Sequence, residues 1–82
     1  MSRSISEIEI EIGGLFAEAA GTEGPLAGSV DLVHETELES VQIMEVIVDI
    51  EDLYDIAIDL EGLSKVRTVA ELATLVHGII GA

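Results

Sequence analysis

Serine hydroxyls, two imidazoles and an excess of carboxylates are the groups in this chain that could do chemistry, since it has no cysteine. Ser40 is placed where one long amphipathic pattern begins, in Glu39-Ser40-Val41. As a nucleophile it would need a base. His34 is six residues upstream in a loop-like stretch and His77 lies in the last apolar repeat, so no Ser-His pair is written locally. Two histidines in 82 residues are more economically read as surface or cap residues. Carboxylate pairs occur throughout and select nothing for acid-base catalysis. Asp31, His34, Glu35 and Glu37 lack the ligand order and central glycine of a calcium loop. The glycines between Gly21 and Gly28 are followed by no Gly-Lys-Ser/Thr, which argues against nucleotide binding. No catalytic constellation emerges, and a non-enzyme is expected.

The serine can instead be a cap. A serine oxygen at the start of a helix accepts a bond from an orphan N–H of the first turn. A capping box counted from Ser40 would want Glu or Gln at position 43, which is Ile, so the cap reading explains this serine only halfway.

The element that positions it runs from Leu38 to Tyr54. Ile43, Ile47, Ile50 and Tyr54 fall at i, i+4, i+7 and i+11, while Glu45, Asp49 and Asp52 repeat at the same spacing on another face. Val46 and Leu53 widen the apolar arc beyond a coiled-coil seam, so this helix is expected to touch neighbours on two sides. Val41, Met44 and Val48 share a further face that begins beside Ser40 and is flanked by Glu45 and Asp49.

Upstream, Ile8, Ile10 and Ile12 alternate with Glu7, Glu9 and Glu11 in strand period. Over the longer window 5–20, Ile5, Ile8, Ile12, Leu15, Phe16 and Ala19 make a helical stripe that Ser4 or Ser6 can cap, and helix is the reading adopted. Gly13-Gly14 weakens it, since a mid-helix glycine costs about 1 kcal/mol relative to Ala. From Gly21 to Glu39 a long connection follows, with Leu26, Val30, Leu32 and Leu38 as its apolar pins. After Tyr54, residues 55–59 read as an extended linker packing Ile56 and Ile58 inward, and Leu60 to Val66 as a short helix or helical turn. Thr68-x-x-Glu71 is a capping box opening a last helix, whose apolar face is Val69, Leu72, Leu75, Val76, Ile79 and Ile80 and which Gly81 ends.

An acid, a helix-opening serine, an aliphatic residue and a long acidic amphipathic helix resemble the attachment site of the acyl carrier protein family. The resemblance spans Glu35 to Val76: Glu39-Ser40-Val41 matches the family's Asp-Ser-Leu, and Glu45-Val46-Ile47 and Ile50 to Tyr54 match its second helix. Ile56, Ile58 and Thr68-Val69 fall in register without a gap. What it implies is an all-α, small four-helix bundle with three longer helices, one short helix and a long loop between the first two. It also implies a 4′-phosphopantetheine arm on the Ser40 hydroxyl, delivered from coenzyme A by a phosphopantetheinyl transferase. Glu39, Val41, Met44, Glu45, Val48 and Asp49 would then be recognition residues for acyl-loading, acyl-transfer or synthase enzymes with basic patches. Glu39 and Val41 depart conservatively from the family's pattern, whereas Thr36-Glu37 stands where it usually has Leu-Gly and an apolar loop anchor is lost. These departures point to a specialised carrier. An aminoacyl or peptidyl carrier shares the site, and an unmodified acidic docking module would share the surface.

Composition narrows the partners. Seventeen acids against three bases give a formal charge of −14, and Asp31 through Glu61 holds eleven acids with no Lys or Arg. Such a field repels nucleic acid and anionic membrane and draws basic partners. A hydrophobic content of 49% is too high for a disordered acidic chain, so the protein should fold. At 82 residues one domain over 1–82 is expected, a monomer with a modest core, and absence of a signal-like start makes the cytoplasm the expected location. The core should comprise Ile8, Ile12, Leu15, Phe16, Ile43, Ile47, Ile50, Tyr54, Ile58, Val66, Val69, Leu72, Leu75 and Val76.

Overall fold

A computed structural model describes residues 4–81. The expected domain span of 1–82 includes residues 1–3 and 82, which lie outside the described residues. Four helices follow in order: α1 (Ile5–Ala20), α2 (Ser40–Tyr54), α3 (Leu60–Leu63) and α4 (Val69–Gly81). This is the all-α bundle of three longer helices and one short one. None of these helices is long and apolar enough to cross a membrane.

Local chemistry starts and stops each helix. Ser4 caps α1, its Oγ accepting from the Glu7 amide at 3.2 Å while Glu7 Oε1 accepts from the Ser4 amide at 3.0 Å. The strand-like alternation of Ile8 to Ile12 loses to the helical stripe, because Ile8, Ile12 and Phe16 are fully buried while Ile10 is exposed. Gly13-Gly14 does not break α1. Gly21, at φ 73°, closes it in a Schellman arrangement: the Thr22 amide donates to Ala17 O at 2.9 Å and the Gly21 amide to Glu18 O at 3.3 Å. Thr68 and Glu71 form the expected box at the start of α4, with Glu71 N to Thr68 Oγ1 at 3.1 Å and Thr68 N to Glu71 Oε1 at 3.0 Å. Glu71 Oε1 also accepts from the Arg67 amide at 2.9 Å. These donors, Arg67 first and then Thr68, hold the Glu71 carboxyl below its ordinary value of 4.5.

The stretch from Leu60 to Val66 is part helix and part turn, α3 closing at Leu63. Past Leu63 the backbone tightens to three-residue bonds, Lys65 N to Gly62 O at 3.2 Å and Val66 N to Leu63 O at 3.1 Å. Ser64 Oγ meanwhile donates to the Glu61 carbonyl at 2.7 Å, so the stretch to Val66 is a turn.

The core gathers α1, α2 and α4 around Phe16, Ile8, Ile12, Ile50, Leu72, Val69 and Val76. Every expected core residue is either buried or packs against it half-buried, the latter being Leu15, Ile43, Tyr54, Val66 and Leu75. Leu32 and Leu38 complete it from the connection 21–39. On α2, Val46 turns inward as expected, but Leu53 is 51% exposed and belongs to no core face. The chain leaves α2 through Asp55 at φ 54°, a left-handed position that Asp tolerates, and needs an extended link there. Glu51 then fastens the link, its Oε2 accepting from the Ile58 amide at 2.8 Å.

The connection 21–39 is ordered by backbone bonds to α1 and to the start of α4. The Leu26 amide donates to Gly13 O at 3.0 Å, and Leu32 N to Arg67 O, Val69 N to Val30 O and Ala70 N to Gly28 O span 2.7, 3.3 and 2.9 Å. An isolated bridge pairs Asp31 with Thr68. The peptide before α2 is thereby tied to the N-terminus of α4.

Candidate functional site

Ser40 is the first residue of α2, but it does not cap it. The cap is Glu39, with extended φ −84° and ψ 160°, and the Gln42 side chain closes the turn by accepting from the Glu39 amide at 2.9 Å. The box is thus shifted one residue earlier than Ser40 and position 43, and only its Gln42 half is made, since the Glu39 side chain makes no cap bond. A cap hydroxyl would be engaged, whereas Ser40 Oγ makes no hydrogen bond among the described residues and the residue is exposed.

Around it the expected face of α2 is open. Val41, Met44 and Val48 are 69%, 42% and 50% exposed, so Val48 is not a core residue. With Ser40 and Glu45 they line a shallow groove of about 370 Å³. Glu39 and Asp49 are also exposed but do not line it. The seven residues singled out from the sequence thus share one exposed region of α2 and its cap, five of them around a single groove.

A second cavity, of about 280 Å³, reaches inward from Ser40 and Met44 between α2, the turn after α3 and the start of α4. Its walls include Ile43, Ile47, Leu63, Val66 and Leu72. Val33 and Ser64 also line it, and neither was foreseen. Leu63 and Val66 carry a faint signal in their three-residue spacing, but nothing in Val33 announces its place, because a loop has no periodicity.

Electrostatics around the site are anionic. In the loop leading to it, Asp31 Oδ1 accepts from the Val33 and His34 amides at 2.8 and 2.9 Å, and Asp31 Oδ2 lies 3.2 Å from His34 Nδ1. The His34 amide first, then the His34 ring and the Val33 amide, hold the Asp31 carboxyl below its ordinary value of 3.8. His34 is occupied with Asp31, and His77 is half-buried on α4. Neither is hydrogen-bonded to Ser40 among the described residues. No cluster of three or more His, Cys, Asp or Glu able to hold a metal occurs among the described residues.

The arrangement can present a free hydroxyl at a helix N-terminus, between an acidic apolar-patched face and an apolar cavity. A family model described as "Phosphopantetheine attachment site" matches residues 11–76. Comparisons with curated proteins and with solved structures returned no match.

Proposed function

This chain belongs to the phosphopantetheine attachment-site family, whose domain takes up 4′-phosphopantetheine covalently, and from that premise we propose that it is an acyl carrier protein with Ser40 as the attachment residue. The observation that carries this reading is the Ser40 hydroxyl, exposed and without a hydrogen-bond partner among the described residues, at the first position of a fifteen-residue helix. The group fits there: a phosphate gains from the orphan N–H groups and the dipole of α2, by about 0.3 to 1 kcal/mol when exposed. Glu39, next to it, opposes this slightly.

Ser40 Oγ attacks the pantetheine-bearing phosphorus of coenzyme A, the P–O–P bond breaks and the adenosine bisphosphate half leaves, and a separate phosphopantetheinyl transferase takes up the hydroxyl proton, since no histidine among the described residues is hydrogen-bonded to Ser40. Once attached, the group supplies a thiol that holds cargo as a thioester, a sulfur this cysteine-free chain lacks. Val41, Met44 and Val48 give the partner an adaptable apolar contact, while Glu39, Glu45 and Asp49 draw its Lys and Arg side chains and set its orientation. Residues 1–82 act as one monomeric carrier domain in the cytoplasm, and catalysis resides in the loading, acyl-transfer or synthase enzymes it visits.

The cavity beside Ser40 favours acyl cargo of fatty acid, lipid or polyketide-type biosynthesis. Its walls are mainly aliphatic, with the hydroxyls of Ser40 and Ser64 as the polar side chains, so an apolar chain gains about 0.8 kcal/mol per buried CH₂, whereas the ammonium of an aminoacyl cargo would find no carboxylate there to pair with.

Intact-mass measurement after incubation with coenzyme A and a broad-specificity transferase tests the site. The wild-type chain gains one arm and Ser40→Ala gains none while keeping its melting temperature, because the serine side chain bonds nothing. An arm on Ser40→Ala would refute the assignment, and no arm on the wild type would leave an acidic docking module. Loading the arm with a straight-chain acyl group should then raise the melting temperature above that of the aminoacyl form; equal values would remove the case for acyl cargo.

A further inference from the structure

Between Leu32 and Leu38 the chain makes its last turn before α2, and one hydroxyl holds both limbs of it. Thr36 Oγ1 donates to the Leu32 carbonyl at 2.6 Å and accepts from the Leu38 amide at 3.3 Å. Both leucines are core residues, 4% and 9% exposed, so the half-buried threonine spans two apolar anchors. The two limbs are not equally secured. Leu32 has a second tie, its amide to the Arg67 carbonyl at 2.7 Å. The Leu38 amide has no acceptor besides Thr36 Oγ1 among the described residues. Ser40 follows two residues later, after the exposed Glu39.

The geometry points to Thr36 as a positioning residue, one that holds the Leu32–Leu38 turn in a single conformation and so keeps the approach to Ser40 open for the transferase. This role rests on the reading of Ser40 given above. Removing the hydroxyl leaves the Leu38 amide without a partner, a condition folded backbones relieve by opening locally to water. An opened 36–39 segment carries Glu37 and Glu39 through the space in front of the serine, and a partner must select the closed conformers from that ensemble.

Thr36→Val removes the hydroxyl at nearly constant shape, and Thr36→Ser keeps it. Tyr54→Phe serves as a destabilised control, because its lost bond to Glu11 lies at the opposite end of α2 from Ser40. Two quantities are read on the full chain: steady-state arm transfer from coenzyme A by a broad-specificity transferase, and amide hydrogen exchange. Thr36→Val should raise KM for the carrier about fivefold or more with kcat little changed, and speed exchange at the Leu38 amide by a similar factor while the Ile12 and Leu72 amides keep theirs. Thr36→Ser and Tyr54→Phe should stay within about twofold of wild type in KM. If valine unfolds the chain, Thr36→Ala takes its place with the same expectations.

Wild-type kinetics in Thr36→Val overturn the proposal. So does a Thr36→Ser variant as impaired as Thr36→Val, which would assign the effect to the methyl group, or a Tyr54→Phe variant slowed equally. Should the wild-type chain accept no arm at all, the Ser40 reading fails instead; unchanged Leu38 exchange in Thr36→Val would then still sink the clamp by itself.

Discussion

The carbonyl of Gly13, in the middle of α1, accepts a hydrogen bond at 3.0 Å from the amide of Leu26, in the loop. The two backbones approach so closely that a Cβ at position 13 would lie 2.4 Å from the Leu26 carbonyl oxygen. At Gly14 the equivalent Cβ would meet nothing within 4 Å. One glycine of the pair admits the loop that leads towards Ser40, and the other only weakens the helix.

Opposite signs are therefore expected from the same substitution at adjacent positions. Gly13→Ala drives a methyl into rigid backbone and should destabilise by about 1 to 3 kcal/mol, or displace the loop. Gly14→Ala should stabilise by about 0.5 to 1 kcal/mol through helix propensity alone. Urea denaturation of both variants decides; equal effects would mean the loop does not lie on α1.

Acid sensitivity should map to the two carboxylates whose values are lowered. Glu71 is depressed below 4.5 by the Arg67 and Thr68 amides, and Asp31 below 3.8 chiefly by His34. A group whose folded value lies below its unfolded one contributes stability that is full above the unfolded value and disappears as pH falls through the folded one. Glu71→Gln and Asp31→Asn should consequently be less stable than wild type at neutral pH. Each gap should close as pH falls through the acid range. A gap that is constant with pH would show that hydrogen-bond shape, not charge, carries the contribution.

Salt should stabilise the fold. With a formal charge of −14 on a body of 33 × 25 × 20 Å, like charges repel across the whole molecule when the Debye length is about 30 Å, near 0.01 M salt. At about 0.15 M the length falls to about 8 Å and most of that repulsion is screened. The melting temperature should rise over this interval, measured with sodium chloride. A fall would mean that ion pairs outweigh self-repulsion, against the composition.

Much of this was legible in one dimension because helices write their faces at a fixed period. Ile43, Ile47 and Ile50 had to point one way once α2 formed, which left Val41, Met44 and Val48 outside. Thr68-x-x-Glu71 was equally readable, since a capping box is made by residues three apart. Glu39-x-x-Gln42 has the same spacing, yet propensity favours the neighbouring serine as the cap. Leu53 misled for a related reason: it is apolar and near the inward stripe, but no neighbouring element covers it.

The sequence by itself determined the helices, the inward faces of the long ones, and a serine opening an acidic amphipathic helix, because each depends on side chains within about one turn of one another. Only the tertiary structure decided the course of residues 21–39 over Gly13 and α4, the clamp of Thr36 on Leu38, and the apolar cavity beside Ser40. Those features arise where segments far apart in the chain meet, and the bonds that order the loop are largely between backbone groups, which every residue but proline carries alike.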